Sequence, residues 1–134
     1  MPQVFHDSAL AILSRQFPNL LAVYAFGSRI TGQARPDSDW DLAILVAGYA
    51  DPWQLFETAG VLSEQAHCPV DLLDLRAATT VMQYQIITTA ERWWALDSQA
   101  DTFEAMVLSE MTELNTARAG LLRDIQQTGS VHDR

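Results

Sequence analysis

The sequence predicts an α/β (α+β) fold, in which a short mixed β-sheet is backed by helices. Short apolar segments typical of strands alternate with amphipathic helical segments along the chain, and the strands are few. A final stripe of apolar residues at helical spacing predicts a C-terminal amphipathic helix. Because the chain has 134 residues and 49% of them are hydrophobic, we expect one domain over residues 1–134 with its own core.

The first half of the chain is predicted to alternate helix and strand. Apolar residues at helical spacing predict a helix over about residues 7–16, which Pro18 brings to an end. The apolar run LLAVYAF predicts a buried strand at 20–26, and the glycine after it predicts a tight turn. Alternating polarity predicts a second strand at 39–46. The residues of this strand that we expect to face the core are Trp40, Leu42 and Ile44.

The second half of the chain adds two more strands and the longest helix. Pro52 at a first helical turn predicts a helix to about Ala66, and PVDLLDL predicts a short strand at 69–75. A helix over about 77–91 and a short edge strand at 93–96 follow. Residues 99–127 are predicted to form a long amphipathic helix, which we expect Gly120 to kink or divide.

The most informative feature of the sequence is a glycine turn followed by two aspartates. Gly27 and Ser28 close the first strand, and Asp39 and Asp41 open the second. Two residues that are two apart on a strand point to the same face, roughly 7 Å apart, and carboxylate oxygens suit a divalent metal. A Gly-Ser turn offers backbone N–H groups to a phosphate. The pattern therefore predicts a site for a metal-bound nucleoside triphosphate.

A third carboxylate is expected from the strand at 69–75. Asp71 is preferred, and Asp74, on the opposite face and nearer the strand end, is the alternative. Three carboxylates can hold two Mg²⁺ ions about 4 Å apart, with Asp71 as the general base toward an attacking hydroxyl. The predicted chemistry is in-line displacement at the α-phosphorus of the triphosphate, with pyrophosphate leaving.

Two arginines flank the glycine turn and the loop after it. Arg29 and Arg35 can neutralise charge on the triphosphate, which gives them a predicted role in nucleotide binding. The alternative interpretation is that both are solvated surface residues. The chain has no lysine, so any catalysis must use carboxylates, metal and arginine.

Composition restricts the partners and the compartment. Seventeen acidic residues against eight arginines give a net charge of −9, which disfavours stable nucleic acid binding and favours a basic protein partner or simple solubility. No apolar run is long enough for a membrane span, and we see no signal peptide, so we expect a cytoplasmic protein. The three histidines lack metal-ligand spacing. Cys68, Tyr49 and Trp53 are interpreted as packing residues.

The glycine turn and the aspartates resemble those of the nucleotidyltransferase superfamily typified by DNA polymerase beta, and in particular its minimal, MNT-type members. The resemblance rests on Gly27-Ser28, Gly32, the ARPDSDWDLAIL segment and the VDLLDL strand, and covers roughly the first 75 residues. It implies that Gly27 and Ser28 bind the triphosphate. The carboxylates that it implies as metal ligands are Asp39, Asp41 and Asp71.

The resemblance also implies a partner. MNT-type proteins are commonly paired with a HEPN-domain RNase toxin, and the resemblance implies an antitoxin that transfers AMP from ATP to a tyrosine of that toxin, in a hetero-oligomer. Two alternatives stay open. One is a nucleotidyltransferase for a small-molecule hydroxyl, and the other is a non-catalytic antitoxin that neutralises its partner by binding alone.

Overall fold

The computed structural model describes residues 2–32 and 38–128. Within them, the strands are Leu20–Phe26 (β1), Trp40–Val46 (β2), Val70–Asp74 (β3) and Glu91–Ala95 (β4). The α-helices are Pro2–Gln16 (α1), Ser28–Thr31 (α2), Pro52–Ala66 (α3), Thr80–Thr89 (α4) and Gln99–Thr128 (α5), and a 3₁₀ turn covers Leu75–Ala77. The predicted class, a mixed sheet with helices, is confirmed.

The strands form one sheet in the order β3-β2-β1-β4. β1 pairs antiparallel with both β2 and β4, whereas β2 and β3 are parallel. A parallel pair needs a long crossover connection, and α3 provides it before packing against β3. The edge strand predicted at 93–96 is confirmed as β4, which begins two residues earlier and ends one residue earlier.

Helices cover the sheet on both faces, because apolar side chains of β1 and β2 alternate between two core clusters. The first cluster joins the sheet to α1 and α3, and its fully buried members include Leu13, Val23, Leu42, Ile44 and Leu62. The second joins the sheet to α4 and α5, and includes Tyr24, Ala43, Leu45, Ile86 and Val107. The predicted core-facing set on β2 is confirmed, since Trp40, Leu42 and Ile44 are all buried in the first cluster.

Helix ends account for the main differences from the prediction. α1 starts at Pro2 instead of residue 7, because Phe5 in its first turns packs against Trp40 with ring centroids 5.0 Å apart. α4 starts at Thr80, after a 3₁₀ turn and a cap in which the Thr79 hydroxyl accepts from Met82 N–H. α5 runs through Gly120 as one helix, so the predicted division there is wrong.

The interpretation of Tyr49 and Trp53 as packing residues is also wrong. Their exposed fractions are 69% and 64%. None of the helices in the described ranges combines the length and the apolar character that a membrane crossing requires.

Candidate active site

The glycine turn stands at the end of β1 and opens α2. Gly27 has φ +83°, in the left-handed region that favours glycine, and its carbonyl accepts from Ile30 N–H at 3.0 Å and Thr31 N–H at 3.1 Å. Ser28 is the first residue of α2 and is half-buried. A Cβ atom on Gly27 would overlap the Asp41 carboxylate oxygen Oδ2. Gly27 is therefore needed both for the turn and for the space beside it.

Strand register brings the predicted carboxylates together. Asp41 pairs with Phe26 across the antiparallel β1–β2 ladder and with Asp71 across the parallel β2–β3 ladder. Asp39 lies one residue before β2 and is exposed, as is Asp71, whereas Asp41 is half-buried. The end of β1 and the carboxylates of β2 and β3 thus form one continuous surface at one end of the sheet.

The carboxylates interact with one another. Burial raises the pKa of Asp41 above its usual range, and the charge of Asp71, the charge of Asp39 and a hydrogen bond to Asp71 raise it further. Within residues 2–32 and 38–128, no three His, Cys, Asp or Glu side chains are positioned around a common metal point. Convergence of the three aspartates on one cation therefore requires side-chain rotation.

Asp74, the alternative third carboxylate, is occupied elsewhere. It is buried, its Oδ2 accepts from Ala50 N–H at 2.9 Å, and its Oδ1 accepts from Arg76 N–H at 3.0 Å. These bonds cap the 3₁₀ turn and hold the loop before α3. The register places Asp71, and not Asp74, beside Asp41.

Arg29 contacts the opposite side of β2. Its Nε donates to the Ser38 carbonyl at 2.8 Å, its guanidinium lies 4.7 Å from the ring centroid of Trp40, and an Nη atom lies 3.8 Å from Cys68 Sγ. These contacts join α2 to the start of β2 on the Trp40 side, away from Asp41. Phosphate binding by Arg29 stays a prediction, and Arg35 lies outside the described residues.

A pocket of about 430 Å³ adjoins the glycine turn. Phe26, Gly27, Ser28 and Thr31 form one wall. One face of α4 forms the other wall, through Met82, Gln85, Ile86 and Thr89. Its volume lies in the range of small-molecule sites, and it combines apolar surface with the Gln85 amide. Sequence reasoning missed the contribution of α4, although positions i, i+3, i+4 and i+7 of a helix share a face.

Comparison with known proteins gives the class of this fold and site. The family described as "Polymerase beta, Nucleotidyltransferase" matches residues 9–99. This chain belongs to the polymerase beta nucleotidyltransferase family, as the resemblance of its motifs implied.

The relatives are similar over nearly the whole chain. Protein adenylyltransferase MntA of Shewanella oneidensis is 30% identical over 125 residues, which is 93% of this chain and 90% of MntA. A crystal structure of a toxin–antitoxin with AMP-PNP superimposes with a TM-score of 0.80 at 29% identity, covering 90% of this chain and 98% of the other. The tri-AMPylated S. oneidensis HEPN toxin in complex with MNT antitoxin gives a TM-score of 0.77 at 28% identity, covering 94% and 99%.

Proposed function

We propose that this chain is a Mg²⁺-dependent protein adenylyltransferase, which transfers AMP from ATP to a tyrosine of a HEPN-domain toxin and thereby acts as its antitoxin. The observation that carries the proposal is the placement of Asp41 and Asp71 side by side, next to Gly27 and Ser28. This site occurs in a chain 30% identical to a named protein adenylyltransferase.

The donor set fits magnesium. Asp39, Asp41 and Asp71 offer only carboxylate oxygens, the ligands that Mg²⁺ prefers. Burial and, after it, the charges of Asp71 and Asp39 raise the Asp41 pKa, and a divalent cation between the carboxylates would relieve their repulsion. Bound magnesium would neutralise the triphosphate and polarise its α-phosphorus, and two ions are the expected number.

The remaining steps, which are phosphate binding, nucleoside binding and proton transfer, are assigned to residues of the chain. Ser28 and the turn N–H groups hold the β- and γ-phosphates, and the pocket between the turn and α4 has room for the nucleoside. Asp71 accepts the proton of the acceptor hydroxyl, whose oxygen forms a bond to the α-phosphorus. The bond from the α-phosphorus to the oxygen that bridges to the β-phosphate breaks, and pyrophosphate leaves.

The acidity of the chain supports a protein acceptor. A net charge of −9 attracts a basic partner and opposes nucleic acid, since complementary potentials steer association. We place the reaction in the cytoplasm, where ATP is available, which is consistent with a chain that has only one cysteine.

The test is the intact mass of the cognate HEPN-domain protein after incubation with this chain, Mg²⁺ and each nucleoside triphosphate in turn. We expect a gain of one or more AMP units with ATP. The Asp39→Asn, Asp41→Asn double variant, as the matched control, should give no gain. Neutralisation of the toxin without any gain in mass would replace the proposal with the binding-only antitoxin, and transfer to small hydroxyl compounds alone would replace it with the small-molecule enzyme.

A further inference from the structure

The α4 wall of the pocket beside the glycine turn carries one amide side chain, that of Gln85. Gln85 is exposed, and within residues 2–32 and 38–128 its side-chain amide makes no hydrogen bond to the protein. Its backbone carbonyl, by contrast, accepts from the hydroxyls of Thr88 at 3.3 Å and Thr89 at 2.6 Å. The backbone of Gln85 is therefore engaged by the helix, whereas its amide is available to a ligand.

Gln83, two residues earlier on α4, has the structural role that Gln85 lacks. Gln83 is buried, and its Nε2 donates to the Leu75 carbonyl at 3.0 Å and to the Arg76 carbonyl at 3.3 Å. These bonds join α4 to the 3₁₀ turn that precedes it. In the part of the chain that the structure describes, the fold uses the amide of Gln83 and leaves that of Gln85 in the pocket.

The surroundings of Gln85 suit a flat and uncharged ring. Phe26, Met82 and Ile86 supply apolar surface to the pocket, and none of the described residues that line it is acidic or basic. A phosphate is poorly accommodated against such a wall, because burying a charge without a partner is costly. Once the phosphates bind at the glycine turn, as the proposed function assigns them, the base is the part of the nucleotide that suits the α4 side.

α4 supports Gln85 rigidly. The next residue, Ile86, is 1% exposed and packs in the second core cluster. The N-terminus of the helix is capped by the Thr79 hydroxyl, which accepts from Met82 N–H at 3.2 Å. Groups carried by packed helices are placed more precisely than groups carried by loops. A ligand therefore has to order only the side-chain torsions of Gln85.

A glutamine amide distinguishes adenine from the other bases at one purine edge. Its oxygen accepts and its NH₂ group donates, which matches the exocyclic N6 amine and the N7 atom of adenine. Guanine presents two acceptors at the same edge, O6 and N7, which suit arginine or lysine instead. Pyrimidines have no N7. The amide of Gln85 is thus complementary to adenine at this edge.

We propose that Gln85 selects ATP over GTP by accepting a hydrogen bond from the N6 amine of adenine and donating one to N7. The base then lies between the glycine turn and α4. This role of Gln85 rests on the proposed function, which places the triphosphate at that turn. It makes one side chain responsible for the choice of nucleotide.

The test is titration calorimetry of the full chain with ATP, GTP and 7-deaza-ATP, each with Mg²⁺ and without acceptor. In the unsubstituted chain the Kd for ATP should be at least about 10-fold below that for GTP. 7-Deaza-ATP should bind about 3- to 10-fold more weakly than ATP, because the hydrogen bond to N7 is lost. In Gln85→Ala the three Kd values should agree within about threefold. Gln85→Arg should prefer GTP, since a guanidinium donates to both O6 and N7.

Gln65→Ala is the matched control. Gln65 is also an exposed glutamine on a helix, α3, and it does not line the pocket. This variant should keep each Kd within about twofold of the unsubstituted chain, as expected for a surface substitution. Circular dichroism of each variant verifies that the helices are intact.

The outcomes separate base selection from the proposed function. The role of Gln85 is overturned, with adenylyl transfer left in place, by equal Kd values for ATP and GTP in the unsubstituted chain or by a preference for ATP that persists in Gln85→Ala. Binding of 7-deaza-ATP as tight as that of ATP, or an equal loss in Gln65→Ala, would also overturn it. A Gln85-dependent preference for ATP in a chain that transfers no AMP to its HEPN-domain partner would keep the role and contradict the proposed function. A chain that binds no nucleotide would contradict both.

Discussion

The missing side chain of Gly27 leaves the room that the carboxylate of Asp41 occupies. A Cβ on Gly27 would overlap Asp41 Oδ2 and lie only 3.1 Å from its Cγ. The antiparallel pairing of Phe26 with Asp41 creates this close approach. The turn assigned to phosphate and the carboxylate assigned to metal thus lie side by side.

Gly27→Ala is expected to lower kcat/KM for AMP transfer by at least about 100-fold, because the new methyl group displaces Asp41 from its position. The matched control is Gly48→Ala. Gly48 also has φ +83°, but a Cβ there meets nothing within 4 Å. Both variants bear the left-handed backbone penalty of roughly 1–2 kcal/mol, so only the first should lose activity. Equal activity in the two would show that the contact is without consequence.

Asp41→Asn is expected to stabilise the metal-free protein slightly while abolishing transfer. The folded-state pKa of Asp41 is raised, so its ionised form costs stability at neutral pH, and this cost disappears as pH falls through the raised value. The gain near neutral pH should be below about 1 kcal/mol, because the half-buried group is still partly screened by solvent, and it should vanish in acid. Urea unfolding at neutral and at acidic pH measures this difference in the free energy of unfolding between the variant and the unsubstituted protein.

Asp97→Asn is a control for which we expect the opposite change in the free energy of unfolding. The backbone N–H of Gln99, followed by its side chain, lowers the pKa of Asp97. This carboxylate therefore contributes stability above its unfolded pKa, which is lost as pH falls through the lowered value. The substitution should destabilise the protein at neutral pH. A loss of stability in Asp41→Asn as well would contradict the repulsion between the carboxylates.

Asp71→Asn and Asp74→Ala are expected to separate catalysis from folding. Removal of the Asp74 carboxylate leaves the Ala50 and Arg76 N–H groups without their acceptor, at a cost of about 1–3 kcal/mol in the free energy of unfolding. Asp71 is exposed, so its substitution should leave stability nearly unchanged and remove transfer. Denaturant unfolding and the AMP-transfer assay measure the two effects. An active Asp71→Asn variant would sink the assignment of the base.

Gln85→Trp is expected to fill the pocket between α4 and the glycine turn. It should raise KM for ATP at least about 10-fold without changing the KM for the acceptor protein. Val81→Trp is the control, since Val81 is exposed on the same helix but does not line the pocket. Equal effects of the two tryptophans would indicate damage to α4 and not occupation of the nucleoside space.

Local patterns in the sequence predicted the elements that carry the motif. The period of two on β2 placed Trp40 toward the core and Asp41 on the other face, because alternation is a property of one strand alone. The bounds of β1 and α3 were also predictable, since an apolar run and a proline at the first helical turn define them.

Features that depend on distant contacts were not predictable. The sequence favoured Asp71 over Asp74 as the third carboxylate but did not establish its pairing with Asp41. The two residues are separated by the whole of α3, and a shift of one residue would turn Asp71 to the other face. The exposure of Trp53 and the early start of α1 at the Phe5–Trp40 stack likewise depend on which surfaces the folded chain covers. The wall that α4 adds to the pocket also depends on contacts between residues that are distant in the sequence.

α5 is one continuous helix, but its first and second parts differ in local stability. At 1.5 Å per residue its 30 residues extend for about 45 Å. Val107 is its last buried residue, and none is buried from 108 to 127. A helical segment without tertiary contacts is marginal in water and depends on cooperative propagation from a stable end. Amide hydrogens in the turns that contain Phe103 and Val107 should therefore exchange more slowly than those after Val107, which exchange by fraying unless another surface covers them.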